Sequence, residues 1–182
     1  MGVITKTPEA LFLKLWENKE NTVFCFWKNK EQYKVEGELV KWLSNVKLIW
    51  LAYQHIDKQE TSNPKFGDID NFMFKFQDLD SNEIIYITMR PNSNCNTLLL
   101  YLLSNDIDLQ KSINISIDTN KKRLYVNQEW VEKVSWKYDT NYISNLRNEK
   151  WAVKTTLSLM EELAQKMWIE IKKIWKKSKT NS

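Results

Sequence analysis

Short runs in which apolar and polar residues alternate fill the middle of the chain, and the clearest is residues 71–78. This run places Phe72, Phe74 and Phe76 on one face, so it predicts a half-buried strand. Residues 83–90 alternate in the same way after a turn-forming segment, and the two runs together predict a hairpin. The interior side chains are expected to be the three Phe of the first strand and, in the second strand, Ile85, Ile87 and Met89.

Other segments also favour strands because of their alternation or their β-branched and aromatic content. They are residues 22–27, a long bent segment at 33–57 with Gly37 at the bend, and the runs 112–118 and 123–128. Residues 131–138 follow as a possible hairpin partner. A polar loop at 57–67 separates the bent segment from the hairpin. The expected class is therefore mainly β.

Three segments have helical spacing instead. Residues 96–105 carry leucines three and four positions apart, which predicts a buried helix of roughly three turns. A threonine cap followed by a proline predicts a short helix over residues 8–16. From residue 156 onward apolar residues recur every three or four positions while lysines accumulate, so we expect a basic amphipathic helix that carries Trp168 and Trp175.

The composition excludes several kinds of enzyme site. With only three glycines in 182 residues, the chain contains neither a GxGxxG nor a GxxxxGK[ST] phosphate loop. The single histidine, His55, excludes zinc motifs of the HExxH type, and no Ser or Cys nucleophile motif stands beside it. We therefore expect no cofactor, no metal and no catalysis.

Cysteine use and hydropathy indicate the compartment. Cys25 and Cys95 lie far apart in sequence and fit no metal-ligand spacing, which suggests a reducing environment. No signal-peptide pattern and no apolar stretch of about 18 residues are present. We expect a cytoplasmic protein without a membrane span.

The aromatic content is the unusual feature of the composition. Trp, Tyr and Phe make up 13% of a chain whose formal net charge is +4. Rings that stack on bases and lysines that neutralise phosphates are what a single-stranded nucleic-acid binder uses. The alternative is that most Trp side chains are in the core and the lysines are solvated surface, with the Lys and Asn content reflecting an A/T-rich genome.

The order of a bent strand, a hairpin, a helix and two further strands is that of the five-stranded OB barrel, with a helix between strands 3 and 4. Residues 37–126 resemble OB-fold single-stranded-DNA-binding proteins, including small divergent ones encoded by bacteriophages. The resemblance is carried by the stretch from Gly67 through the hairpin and the Leu-rich helix to the Val-Ser-Trp-Lys-Tyr run at 134–138. The acidic, Phe-ended tail of the bacterial members is missing, and a basic helix stands in its place.

The resemblance implies an α+β protein that binds single-stranded DNA without strong sequence preference, in replication or recombination. If a phage encodes the protein, the compartment is the host cytoplasm. The expected organisation is an N-terminal helix and strand at residues 1–30, an OB-like barrel at 31–138, and a linker with a C-terminal basic amphipathic helix at 139–182. That helix is a possible contact for a second copy or another protein.

In an OB fold the ligand face lies on the second and third strands and the loops beside them. Outward side chains of the predicted hairpin are therefore the first candidates. We expect Tyr86 to stack on a base, and Lys75 and Arg90 to contact phosphates. If the faces of residues 71–78 are inverted, Phe72 and Phe74 become the stacking platform instead.

A second group of candidates consists of aromatic and cationic residues outside the hairpin. Trp136 and Tyr138 share one face of a predicted strand and are equally good candidates for the core. The members of this group are Trp42, Trp136, Lys137 and Tyr138.

Two other functions are compatible with the sequence. A protein-interaction or oligomerisation module would use the aromatic surface or the C-terminal helix, since Trp and Tyr anchors dominate protein interfaces. A metal-dependent nuclease would need paired carboxylates for Mg²⁺, and the candidates are Asp68, Asp70, Asp78, Asp80 and Glu83. Asp is also common in turns for conformational reasons, which makes the nuclease the weakest of the three hypotheses.

Overall fold

The structure is a computed structural model that describes residues 10–17, 24–29, 38–57, 68–139, 141–142, 144–145 and 152–176. Short strands dominate these ranges. The elements with described bounds are, in chain order, β1 (Ala10–Glu17), β2 (Phe24–Asn29), β3 (Glu38–Val40), β4 (Trp42–Ile56), β5 (Ile69–Asp78), β6 (Ile84–Met89), α1 (Ser93–Leu102), β7 (Ile113–Asp118), β8 (Arg123–Asn127), α2 (Ala152–Met167) and β9 (Lys172–Lys176).

The strands form one mixed sheet with the order β3-β2-β1-β6-β5-β4-β7-β8, and β9 pairs with β4. Neighbouring strands are antiparallel except at β1–β6 and β4–β9, which are parallel. β3 ends one side of this path, yet only Lys41 separates it from β4 near the middle. The sheet must therefore bend back toward itself, and it curls into a half-barrel.

The expected class is confirmed, since the protein is mainly β with the helices α1 and α2, and α1 lies between the hairpin β5–β6 and the pair β7–β8. The expected five-stranded barrel is wrong, because the described residues alone contribute nine strands to the sheet. β1 pairs in parallel with the outer edge of β6. Within the described residues β8 pairs with β7 alone, so the hairpin and β8 do not close a barrel between them.

The helix expected over residues 8–16 is also wrong, because residues 10–17 form β1. Leu11 and Leu13 are buried in the core, while Phe12 points to the other face. This alternation suits a strand that packs on the core with one side only. Here the pairing with β6 outweighs the local signal of a threonine cap and a proline.

The core lies between one face of the sheet and the two helices. The residues predicted to face inward in the hairpin are all buried: Phe72, Phe74, Phe76, Ile85, Ile87 and Met89. They form one cluster with leucines of α1 and with Leu159, Met160 and Leu163 of α2. The alternative with Phe72 and Phe74 exposed is therefore excluded.

The C-terminal helix is shorter than expected. α2 ends at Met167, and Trp168 has a left-handed backbone with φ 57°. The N–H of Ile169 donates to the carbonyl of Ala164 at 3.0 Å, which closes the helix end. The chain then forms β9, which pairs with residues 52–56 of β4. This pairing satisfies backbone N–H and C=O groups on the edge of β4, which a continued C-terminal helix would leave without a strand partner.

Residues 131–138 contain no strand, so the expected hairpin partner is wrong as well. The bend residue Gly37 and most of the expected polar loop lie outside the described residues.

Candidate nucleic-acid interface

One line of side chains crosses four neighbouring strands on the face of the sheet opposite the core. Phe12 on β1 is in register with Tyr86 on β6, Tyr86 with Lys75 on β5, and Lys75 with Trp50 on β4. The face follows from strand alternation, because Phe74, next to Lys75, is fully buried. We call these four residues the four-strand row.

The rings in the four-strand row are in contact. The Phe12 and Tyr86 rings are stacked, with centroids 5.3 Å apart and planes 12° from parallel. The Lys75 Nζ lies over the Tyr86 ring, 5.7 Å from its centroid, which is within cation–π range. Directly opposed residues on antiparallel strands have Cβ atoms about 4.5–5.5 Å apart, so the register of β5 with β6 brings Lys75 beside Tyr86.

The four-strand row lines a cavity of about 420 Å³. Ile49, Met73 and Thr88 complete its walls, and all of the lining residues are half-buried. The pairing of β4 with β5 shifts register between Leu48 and Trp50, so the adjacent residues Ile49 and Trp50 both line the cavity. Small-ligand sites measure about 300–1,000 Å³, so this volume suits a planar ring such as a nucleobase.

The described charges on this face are positive. Lys14 is in register with Thr88 beside the cavity, and Lys47 is in register with Gln77. In the described residues of β1, β4, β5 and β6, strand alternation places no Asp or Glu on the face. Among all residues that the structure describes, none offers a carboxylate to Lys75 within salt-bridge distance. A phosphate would therefore meet cations here without competition from carboxylates on these strands.

The structure brings two of the predicted site residues, Lys75 and Tyr86, together in the four-strand row. Arg90 follows β6 directly and is exposed. Trp42, the first residue of β4, is 66% exposed and in register with Ser116 on β7. It lies eight residues before Trp50, up to roughly 25 Å along the strand, so it does not join the cavity.

The other three predicted residues lie together against the helices. The Trp136 ring meets Tyr101 of α1 edge-on, with centroids 5.6 Å apart. The Tyr138 hydroxyl donates to Glu162 of α2 at 2.7 Å, and the Lys137 ammonium forms an ion pair with the same carboxylate. We call Trp136, Lys137 and Tyr138 the helix-side cluster.

The partners in the helix-side cluster also change the acidity of its groups. The hydrogen bond to Glu162 raises the pKa of Lys137. Burial, and then the same carboxylate, raise the pKa of Tyr138. Both groups are thus held in their protonated forms by contacts within the protein.

The sequence patterns did not identify several residues of this face, among them Phe12, Lys14, Lys47 and Trp50. Phe12 and Lys14 lie in the segment that was expected to be helical. Trp50 lies in an apolar stretch in which the alternation of faces is broken at the register shift. Alternation alone therefore does not show on which face of the sheet Trp50 lies. The alternation of Leu11 and Leu13 with Phe12 and Lys14 was the signal that could have identified β1.

The five carboxylates considered for a nuclease lie in two separate groups. Asp68 and Asp70 are at the start of β5, where both approach His55. Asp78 is at the other end of β5, and its Oδ1 accepts the N–H groups of Asp80 and Ser81 at 2.8 and 3.2 Å. Because a ten-residue strand separates the groups, they do not share one metal ion.

Comparisons of the chain with protein-family models, with curated proteins and with solved structures find no match. The resemblance to OB-fold single-stranded-DNA-binding proteins therefore stays a prediction. In the described part of the chain, no helix is both long and apolar enough to cross a membrane.

Proposed function

We propose that the protein binds single-stranded DNA without strong sequence preference, in replication or recombination. Bases would stack on the four-strand row, and phosphates would lie against the lysines around it. The observation that carries this proposal is the contact, in one cavity, of stacked rings with a lysine that meets no carboxylate among the described residues. The proposed function needs no cofactor and no catalysis.

The chemistry of the cavity suits a sequence-tolerant ligand. Every base has a π-face, and stacking on an aromatic side chain is worth about 1–3 kcal/mol per base. Lys14, Lys47 and Lys75 add attraction to a phosphate backbone whose strength depends on salt. Tyr86 and Trp50 flank Lys75 in the register, so a cation lies between two rings along the four-strand row.

The place of the cavity in the sheet supports the same proposal. An OB barrel binds single strands on the face of its second and third strands and on the loops beside them. The half-barrel differs in strand number, but the cavity lies on β5 and β6, the strands expected to carry the ligand face. We propose that this face serves as an OB-like binding surface.

A titration monitored by fluorescence anisotropy tests the proposal. Labelled single strands of about 20 nucleotides, one of dT and one of mixed sequence, are compared with the mixed-sequence duplex at several salt concentrations. We expect both single strands to bind within about tenfold of each other and more tightly than the duplex. The logarithm of the affinity should fall linearly with the logarithm of the salt concentration. Absence of binding at low salt, or preference for the duplex, would overturn the proposal.

A second candidate function is a protein-interaction surface. Trp130 and Trp168 are 94% and 93% exposed, and both have positive φ angles of 66° and 57°. The left-handed conformation costs a non-glycine residue roughly 1–2 kcal/mol. Two Trp rings held in solvent at this cost are the observation that favours a protein partner.

Light scattering coupled to size-exclusion chromatography measures the molar mass of the natural chain and of Trp130→Asn/Trp168→Asn, and thereby distinguishes the two functions. Asn is chosen because it tolerates positive φ. A dimer that becomes a monomer in the variant, together with unchanged DNA binding, would assign these rings to self-association. A monomer in both cases would remove this form of the second function. Deleting the C-terminal residues 156–182 would not separate the two functions, because it would also remove Leu159, Met160 and Leu163 from the core.

A further inference from the structure

The only histidine of the chain, His55, lies near the end of β4 between carboxylates that the sequence separates. Its Nε2 is 3.1 Å from Asp57 Oδ1 and 3.8 Å from Asp68 Oδ2. One ligand atom from each of these three residues lies within 4.8 Å of the other two. Asp57 follows β4 and Asp68 precedes β5, so the antiparallel pairing of the strands brings them together.

Asp70 holds the imidazole from its other side. The His55 Nδ1 is 2.7 Å from Asp70 Oδ1, and the Tyr53 hydroxyl donates to the same oxygen at 2.6 Å. Asp70 is largely buried, whereas Asp57 and Asp68 are about half exposed. The Trp175 ring also packs on the imidazole, with centroids 5.1 Å apart. The ring orientation of His55 is therefore set by β5 and β9.

The contact between Asp70 and Nδ1 determines which groups the Nε2 atom of His55 can bind. The carboxylate on Nδ1 favours the tautomer with a proton on that nitrogen, so a neutral imidazole turns its Nε2 lone pair toward Asp57 and Asp68. A lone pair and a carboxylate oxygen 3.1 Å apart repel each other unless a cation lies between them. The cation is either a second proton on Nε2 or a metal ion.

The distances suit a metal ion. Zn–N and Zn–O bonds of about 2.0–2.2 Å in tetrahedral geometry place ligand atoms about 3.3–3.6 Å apart. The 3.1 and 3.8 Å separations lie on either side of this range, and the Asp57 and Asp68 ligand atoms lie within 4.8 Å of each other, so side-chain rotations that adjust the two carboxylates would complete the site. A metal-binding histidine commonly donates its other N–H to a carboxylate, which is the position of Asp70.

We propose that His55, Asp57 and Asp68 bind a divalent first-row transition metal ion, with Asp70 as the positioning residue for the imidazole. One imidazole nitrogen and two carboxylate oxygens suit Zn²⁺ or Mn²⁺ better than Mg²⁺ or Ca²⁺, which prefer oxygen ligands alone. Three protein ligands leave at least one position for water. The ion would join the two ends of the connection between β4 and β5.

The single histidine makes the test specific. In a protein labelled with ¹⁵N, long-range correlation spectra report the two imidazole nitrogens while ZnCl₂ is added at constant neutral pH. We expect about one equivalent of Zn²⁺ to shift the Nε2 resonance to that of a metal-bound nitrogen, while Nδ1 keeps its proton. Because the readout is the imidazole, zinc bound by a cysteine does not imitate the result.

Variants of the exposed ligands complete the experiment. Asp57→Asn/Asp68→Asn should weaken Zn²⁺ binding at His55 at least about tenfold. Glu129→Gln/Glu132→Gln removes the same charge from exposed positions outside the site and should leave the affinity unchanged. An Nε2 that keeps its proton in excess Zn²⁺ would overturn the proposal. Equal affinities in the natural chain and in the variant without Asp57 and Asp68 would overturn it too.

Discussion

The four-strand row and the helix-side cluster are built from the same kinds of residue, yet their lysines have different partners. In the four-strand row, Lys75 lies over the ring of Tyr86, and no carboxylate among the described residues pairs with it. In the helix-side cluster, Lys137 and Tyr138 both bind Glu162 of α2. A phosphate would find an available cation in the first region and a neutralised cation in the second.

The difference comes from what each region packs against. The cavity at the four-strand row is lined by residues of four strands alone. The helix-side cluster lies across α1 and α2, which contribute Tyr101 and Glu162. Aromatic and cationic residues are therefore a sign of a binding face only where no neighbouring element supplies their partners. We expect mutations in the first region to change binding and mutations on the helix side to change stability.

The largest expected effect is on stability, from Lys166→Met on the helix side. The Lys166 ammonium donates to the carbonyls of Leu102, Ser104 and Ile107 at 3.0, 2.7 and 2.9 Å, and thus joins α2 to the end of α1. Burial lowers the pKa of this ammonium because it disfavours the charged form, and the three hydrogen bonds offset part of that cost. Its loss should lower the free energy of unfolding in urea by about 2–4 kcal/mol, because partly buried carbonyls lose their donor.

Lys75→Met is the matched control for this prediction, since the same side chain is removed from the four-strand row. Its free energy of unfolding should stay within about 0.5 kcal/mol of the natural chain. Equal losses in the two variants would contradict the distinction between the regions.

The next effect is on DNA affinity, from Tyr86→Leu. This change keeps an apolar side chain on β6 but removes the ring stacked on Phe12. We expect affinity for single-stranded DNA to fall by about 1–3 kcal/mol, or roughly 5- to 150-fold in anisotropy titrations. Tyr86→Phe, which keeps the ring, should bind within about twofold of the natural chain. Tyr138→Leu should also bind normally, and a loss there as large as that of Tyr86→Leu would contradict the comparison.

A smaller change in stability is expected at the end of α2, from Trp168→Gly. The exposed Trp168 adopts positive φ, which glycine does without steric cost, so the variant should gain about 1 kcal/mol in urea unfolding. Trp168→Ala keeps the Cβ and should stay within a few tenths of the natural value. Equal stability of the Gly and Ala variants would show that the backbone conformation carries no strain.

The smallest expected effect is on the salt dependence of DNA binding. If Lys75 neutralises one phosphate, Lys75→Met should reduce the slope of log affinity against log salt by about 0.7. Lys137→Met should leave the slope unchanged, because Glu162 already neutralises that ammonium. A change of slope in the Lys137 variant but not in the Lys75 variant would place the phosphate contact in the helix-side cluster and contradict the comparison.

Local pattern by itself determined much of the central sheet. The strict alternation in residues 71–78 and 83–90 correctly predicted the β5–β6 hairpin and its buried face. It thereby placed Lys75 and Tyr86 on the opposite face, since successive side chains of a strand point to opposite sides. The leucine spacing of α1 and the isoleucine alternation of β7 were equally sufficient.

Only the tertiary structure decided how these elements meet. The parallel pairing of β1 with β6 brings in Phe12, and the register shift in β4 brings in Trp50. The pairing of β4 with β5 likewise surrounds His55 with carboxylates, although its sequence neighbourhood showed only Asp57. A short-range pattern states which side of an element is apolar, whereas the partner of that element depends on contacts between distant parts of the chain.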